Sequence, residues 1–330
     1  MKVFRFCIFM ALVVSLTACA EGDERKSRDN RVLPDANGGI LEIMVVAPDK
    51  KWEGMPGNML RRHFTRMQYG LPQPLPLFNL RQIEPADYKD LLKRSRYQIL
   101  LNQEDSVRIQ YVKNQYAKNQ LLIYLSAPSD TLLTALIQQK EDEIASRLKT
   151  MERARLRRRM APLKRAEISP VYAKHKVRLN VPKDYDLDVE EEDLLVYWKK
   201  TNLADKGIIV HFRPYPKNEM ILGQEIIPLR DSLTELYIRG ERDNSFMVTE
   251  TLIKPQLNAM DIEGRFAYEA RGLWRTEHDI MGGPFLSYTI YDEQNEQVIY
   301  LDAFIFAPDE RKRNALFEME AILRSIEFLN

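Results

Sequence analysis

Three stretches of this chain share one grammar: an apolar run, then Ala-Pro, then a polar residue. They are "IMVVAPDK" from Ile43, "LIYLSAPSD" from Leu122 and "AFIFAPDE" from Ala303. Proline cannot donate to a sheet ladder, and its fixed φ suits the first turn of a helix. Asp49, Ser129, Asp130 and Asp309 stand where a side chain can cap free helical amides. A shared binding loop would be the functional reading of the repeat. Strand-to-helix punctuation explains it with less, and its recurrence in both halves predicts two α/β units of related plan.

Periodicity fills in the rest. Apolar runs predict strands over 40–47, 97–101, 107–113, 121–126, 177–181, 194–199, 208–215, 246–253, 265–276, 285–291 and 298–306. Helical spacing appears over 56–67, 85–94, 129–160, 229–240 and 310–327. The expected class is α+β: two α/β sandwich domains with mainly antiparallel sheets, joined through the long helix near 129–160. Pro162 and Pro170 interrupt helical continuity just beyond it. The expected boundaries are therefore an N-terminal domain over 40–165 and a C-terminal domain over 166–330.

The first forty residues carry a different signal. Lys2 and Arg5 precede an apolar run from Phe6 to Leu16, broken only by Ser15. That run is short of the roughly 20 apolar residues a bilayer-spanning helix needs. A charged start, a short apolar core and small residues before the break are the layout of an export signal over 1–19. Leu16-Thr17-Ala18-Cys19 resembles the bacterial lipobox, in which the cysteine is acylated and becomes the mature N-terminus. Ala20 replaces the aspartate that retains lipoproteins in the inner membrane, so an outer-membrane lipoprotein of the cell envelope is expected. Residues 20–39 are polar and are expected to form a disordered tether, reaching on the order of 25 Å.

Cysteine usage agrees. The chain has two cysteines, Cys7 inside the expected signal and Cys19 at its end. A mature domain of this kind has no disulfide, thiolate metal site or cysteine nucleophile. Without Lys2 and Arg5, 47 basic residues stand against 48 acidic ones. That balance gives no reason to expect nucleic acid as a partner.

"WEGMPGNMLRRHF", "LPQPLPLF" and "RSRYQILL" resemble a Bacteroidota lipoprotein family of unknown function, DUF4837. This resemblance is expected to cover most of the mature chain, and it brings no known activity or catalytic residues. "HKVRLNVPKDYDL", the long strands and the closing "AILRSIEFLN" resemble a PsbP-type α/β sandwich. That second resemblance implies antiparallel strands packed by helices, in a fold often used to bind other proteins.

The catalytic templates fail on spacing. The four histidines, His63, His175, His211 and His278, form no helical metal-ligand pair, and no His-Glu-x-x-His occurs. No glycine-rich phosphate loop and no Gly-x-Ser-x-Gly elbow is present. Glu277, His278 and Asp279 are adjacent, but neighbours on an extended strand point to opposite faces. "DYDLDVEEED" places Asp184, Asp186 and Asp188 at calcium-like spacing, yet Val189 and Leu195 occupy the positions where an EF-hand needs glycine and a bidentate acid. No metal or cofactor is expected. The basic run from Arg153 to Arg165 invites pairing with that acidic run.

Alternation points to a binding surface. In 265–276, Phe266, Tyr268, Ala270 and Trp274 share one face and Arg265, Glu269, Arg271 and Arg275 the other. In 208–215, Ile208, Val210 and Phe212 oppose His211 and Arg213. A sheet with one polar face carrying His211, Arg213, Arg271 and Arg275 is expected. The functional expectation is a lipid-anchored, non-enzymatic binding or scaffolding module with an envelope protein as partner. The alternative is an envelope-polymer hydrolase using carboxylate or histidine chemistry at Glu277 and His278.

Overall fold

The structure is a computed structural model that describes residues 32–160, 168–216, 223–308 and 310–329. Cys19, Asp309, the basic residues Lys164 and Arg165, and the expected domain junction at 165/166 lie outside the described residues. The fold is α+β with two domains, and the long helix lies between them.

The first domain holds β1 (Glu42–Val46), α1 (Asp49–Glu53), α2 (Met55–Phe64), β2 (Asn79–Ile83), β3 (Tyr97–Gln103), β4 (Arg108–Lys113), β5 (Leu121–Ala127) and α3 (Asp130–Arg159). Its sheet runs β2-β1-β3-β5-β4. The β1–β2, β1–β3 and β3–β5 pairs are parallel, and only β4 runs antiparallel. Unbroken apolar runs such as "IMVV" suit this arrangement, because a parallel strand is buried on both faces. Ile43, Val45, Ile99 and Ile123 pack with α2 and α3, while Met44, Val46, Leu100 and Leu122 form a smaller cluster on the reverse face. Ser129 caps α3, its hydroxyl accepting from the Leu132 amide at 3.3 Å.

The second domain contains α4 (Pro170–Lys174), β6 (Val177–Arg178), β7 (Asp186–Glu190), β8 (Leu194–Lys200), β9 (Asp205–Pro214), α5 (Ile226–Tyr237), β10 (Phe246–Thr249), β11 (Gln256–Ile262), β12 (Arg265–Glu277), β13 (Gly282–Asp292), β14 (Gln297–Phe306), α6 (Lys312–Leu323) and β15 (Glu327–Phe328). Its main sheet runs β10-β12-β13-β14-β9-β8-β7, with β11 also on β12, and every pair is antiparallel. The sheet curls into a half-barrel. Neither face is bare: Leu316, Met319 and Ile322 of α6 pack with Val210, Tyr288 and Leu301, and Ile226 and Leu233 of α5 pack with Ile209, Trp274 and Tyr300 on the other side.

The three Ala-Pro sites fall where strands end: after β1, β5 and β14, ahead of α1, α3 and α6. Other expectations change. Residues 85–94 form two short 3-10 turns, Pro85–Asp87 and Leu92–Arg94, separated by Asp90 at φ +43°. A left-handed residue cannot continue a helix. The acidic run read as a loop contains β7, an edge strand on which charged side chains deter further pairing. The stretch expected to be free tether up to Gly39 is held from Pro34 onward, whose carbonyl accepts from the Lys118 amide at 2.8 Å. Ala36 and Asn37 donate to the Lys118 and Arg94 carbonyls, and Arg96 clamps the Gly38 carbonyl at 2.8 Å.

Candidate functional site

Residues two apart on a strand share a face. On β12 this puts Glu269 beside Arg271, on the side that meets α6. Arg271 Nε and Nη2 donate to the two Glu269 oxygens at 2.8 and 2.9 Å, and Nη2 also reaches Glu320 Oε2 on α6 at 2.6 Å. Glu320 Oε1 accepts from Arg153 Nη1 of α3 at 2.9 Å. Tyr288, directly opposite Glu269 on β13, donates its hydroxyl to Glu269 Oε2 at 3.0 Å. Three elements distant in sequence thus share one ion-pair network at the domain junction.

Above the network opens a cleft of about 740 Å³. One wall is α3, with Ser146, Lys149 and Arg153; another is β11, with Gln256, Asn258 and Met260. The segment Arg66–Tyr69 closes a third side. Gly70 follows at φ +77°, and a Cβ there would lie 3.0 Å from the Gly272 amide nitrogen of β12. Glycine therefore lets this loop lie directly on the second domain's sheet.

Burial opposes the charge on Glu320, but Arg271, Arg153 and Lys149 outweigh it and hold its carboxyl down at about 2. Burial likewise disfavours the Arg271 charge, and Glu269 and Glu320 reverse the effect, so its guanidinium stays charged. Lys149 goes the other way. Burial lowers its pKa, and the attraction of Glu320 does not compensate. A carboxyl ionised down to about 2 is a poor proton donor at neutral pH.

The residues singled out in the sequence do not converge. Arg271 lies in the cleft floor. Arg275 is farther along β12, paired with Glu277 at 2.6 Å, and is not in the cleft. His211 and Arg213 line a separate cavity of about 550 Å³ beneath α5. The reason is register: Val210 pairs with Leu301, Leu301 with Tyr288 and Tyr288 with Glu269. Even positions of β9 therefore share a face with odd positions of β12. His211 and Arg213 stand on the α5 side, Arg271 and Arg275 on the α6 side. The expected single polar face does not exist. His211 Nδ1 donates to the Asp193 carbonyl at 3.1 Å, and burial lowers its pKa.

The other motifs separate as well. Glu277 is engaged by Arg275, Asp279 accepts from the Glu241 amide, and exposed His278 takes φ +62° at the turn. Among the described residues no cluster of three or more His, Cys, Asp or Glu is placed to hold a metal. The acidic run pairs locally, through Asp184 with Lys199, Glu190 with Ser169 and Glu192 with Lys174. The described part of the basic run turns elsewhere, to Glu320, Glu152, the Arg324 carbonyl and Asn119. The two runs are not coupled among the described residues. Glu320, Tyr288 and Lys149 were not singled out in the sequence. Glu320 had a signal: it is an acid set among Leu316, Phe317, Met319 and Leu323, inside the apolar stripe of α6.

Residues 36–161 match the family model DUF8532, a domain of unknown function, and residues 164–325 match DUF4837, also a domain of unknown function. The motifs that resembled DUF4837 lie in the DUF8532 half, and the DUF4837 match is confined to the second half. No curated protein matches the chain. Among solved structures, the Saccharomyces cerevisiae Ran-binding protein Mog1p is similar at 10% identity and a TM-score of 0.33, covering 47% of this chain and 91% of its own. A mutant of protein Mog1 is similar at 12% identity and a TM-score of 0.32, covering 47% and 92%.

Proposed function

We propose that this chain is a lipid-anchored binding module of the cell envelope, which presents the inter-domain cleft to an envelope partner. The observation that carries the reading is the ion-pair network of Arg271, Glu269, Glu320 and Arg153. Its carboxylates and guanidiniums are committed to one another, which favours recognition over proton transfer. Cys19 supplies the anchor, through a lipobox of the kind found in Bacteroidota outer-membrane lipoproteins. Among the described residues no helix is long and apolar enough to cross a membrane. The antiparallel sheet with α5 and α6 on its faces supports the PsbP-type reading of the second domain.

The test uses the full chain in a bacterial envelope. Metabolic labelling with an alkyne fatty acid should mark the wild type and fail for Cys19→Ala. Cross-linking in intact cells should recover partners that Lys149→Glu loses and Arg213→Glu, on the far face, keeps. An unmodified N-terminus downstream of Cys19 would overturn the anchor, and recovery unaffected by Lys149→Glu would overturn the cleft.

A further inference from the structure

The cleft lining holds five cations, Arg66, Lys149, Arg153, Arg271 and Arg324, and three anions, Asp142, Glu269 and Glu320. Arg153 and Arg271 are consumed by Glu269 and Glu320. Arg324 donates to the Asp261 carbonyl at 3.3 Å and lies over the Tyr288 ring, and Arg66 approaches His63. Lys149 is different. It stands one helical turn before Arg153, on the same face of α3, and makes no hydrogen bond or ion pair within 4.0 Å among the described residues. A half-buried ammonium with no carboxylate in direct contact is incompletely compensated, and an anion in the cleft would relieve the cost.

The chemistry narrows the anion. Bidentate capture of phosphate relies on free guanidinium forks, and here the Arg153 and Arg271 forks are occupied. Lys149, the one of the five with no hydrogen bond or ion pair among the described residues, is a point charge on a flexible stem, suited to a single carboxylate. Gln68, in the lining of the same cleft, has its Oε1 buried without a partner and so has an acceptor to offer an N–H. Met67, Leu77 and Met260 give the same cleft an apolar side.

We propose that the cleft binds an organic carboxylate carrying an N–H donor and an apolar side group, the chemistry of a peptide C-terminus, with Lys149 receiving the carboxylate and Gln68 the N–H. This rests on the binding reading above and names its ligand class. Lys149 is a binding residue here, with no catalytic step assigned to it.

Calorimetric titration of the purified full chain decides it, with three probes: N-acetyl-alanyl-phenylalanine, its C-terminal amide, and phenyl phosphate. The free acid should bind, the amide should bind about tenfold more weakly or worse, and phenyl phosphate should not exceed the acid. Lys149→Met should lower acid affinity about tenfold while leaving amide binding unchanged. A readout that needs no variant is the Lys149 ammonium itself, followed by NMR after reductive methylation: the acid should raise its pKa and the amide should not. Equal binding of acid and amide, a preference for the phosphate, or an unmoved Lys149 would overturn the proposal. If the acid fails to bind while partner capture in cells still depends on Lys149, the ligand class falls and the binding function stands. If the acid binds but no partner is captured in cells, the ligand class stands and the envelope-partner reading falls.

Discussion

Arg153 and Glu320 are 167 residues apart in the chain and meet at 2.9 Å across the domain junction. Glu320 also takes Arg271 at 2.6 Å, so one carboxylate ties α3, α6 and β12 together. Removing one partner of a buried ion pair strands the other charge, at a cost of about 3–5 kcal/mol. Glu320→Gln should therefore lower unfolding free energy by that order in a urea titration. The cost should depend on pH in one direction. Native Glu320 ionises down to about 2, against 4.5 when unperturbed. Its contribution is complete above pH 4.5 and drains away as pH falls toward about 2. The gap between wild type and Glu320→Gln should close over that window, and a gap constant with pH would refute the pairing.

Helix α6 serves two cores. Phe317 and Ala321 belong to the cluster built on the first sheet, whereas Leu316, Met319, Ile322 and Leu323 belong to the second domain's core. Arg313 reinforces the contact, donating to the Pro76 and Ile40 carbonyls. Fragments 20–160 and 168–330 should each melt without a sharp transition, and a mixture of the two should recover one. Phe317→Ala in the intact chain should cost about 3–5 kcal/mol. Cooperative melting of fragment 20–160 alone would show that α6 is dispensable to the first core.

Much of the fold was legible because local physics decides it. The Ala-Pro breaks, the Ser129 cap and the apolar runs of β1, β5 and β14 needed no tertiary information. The weak strands β2, β7 and β11 were not legible, because exposed edge positions carry little hydrophobic period. The cleft was illegible for another reason. Alternation fixes which residues of one strand share a face, but it is silent on how two strands separated by β13 and β14 align. Lys149 and Glu320 come together only through helix packing, which no local pattern encodes.

Arg230 of α5 and Asp302 of β14 form a second buried pair, at 3.3 Å with both side chains fully covered. The guanidinium lies 4.0 Å over the Phe285 ring and donates to Thr249 Oγ1. Burial pushes the Asp302 carboxyl up, and Arg230 holds it partly down. Arg230→Met alone should cost about 3–5 kcal/mol in thermal or chemical melts, because it leaves Asp302 buried and unpaired. Arg230→Met with Asp302→Leu should recover most of that loss, since an apolar replacement of both partners is often neutral. A double variant no better than the single would mean that Asp302 has a role outside the pair.

Arg213 and Arg271 are indistinguishable by strand position, since each is an arginine on the polar side of an alternating run. In the fold they are opposites. Arg213 is exposed on the α5 side of the sheet, whereas the Arg271 side chain is only 12% exposed and holds two carboxylates. Charge reversal should separate them cleanly. Arg213→Glu should change stability by no more than about 0.5 kcal/mol, as exposed substitutions usually do. Arg271→Glu would place a third carboxylate between Glu269 and Glu320, and should cost no less than a broken buried pair does, about 3–5 kcal/mol. Part of that loss should return at low pH, where protonation relieves the repulsion. Parallel urea titrations of the two variants at neutral and acidic pH measure all three quantities. Two variants of equal stability would place Arg271 on the surface and dissolve the cleft floor on which the binding reading stands.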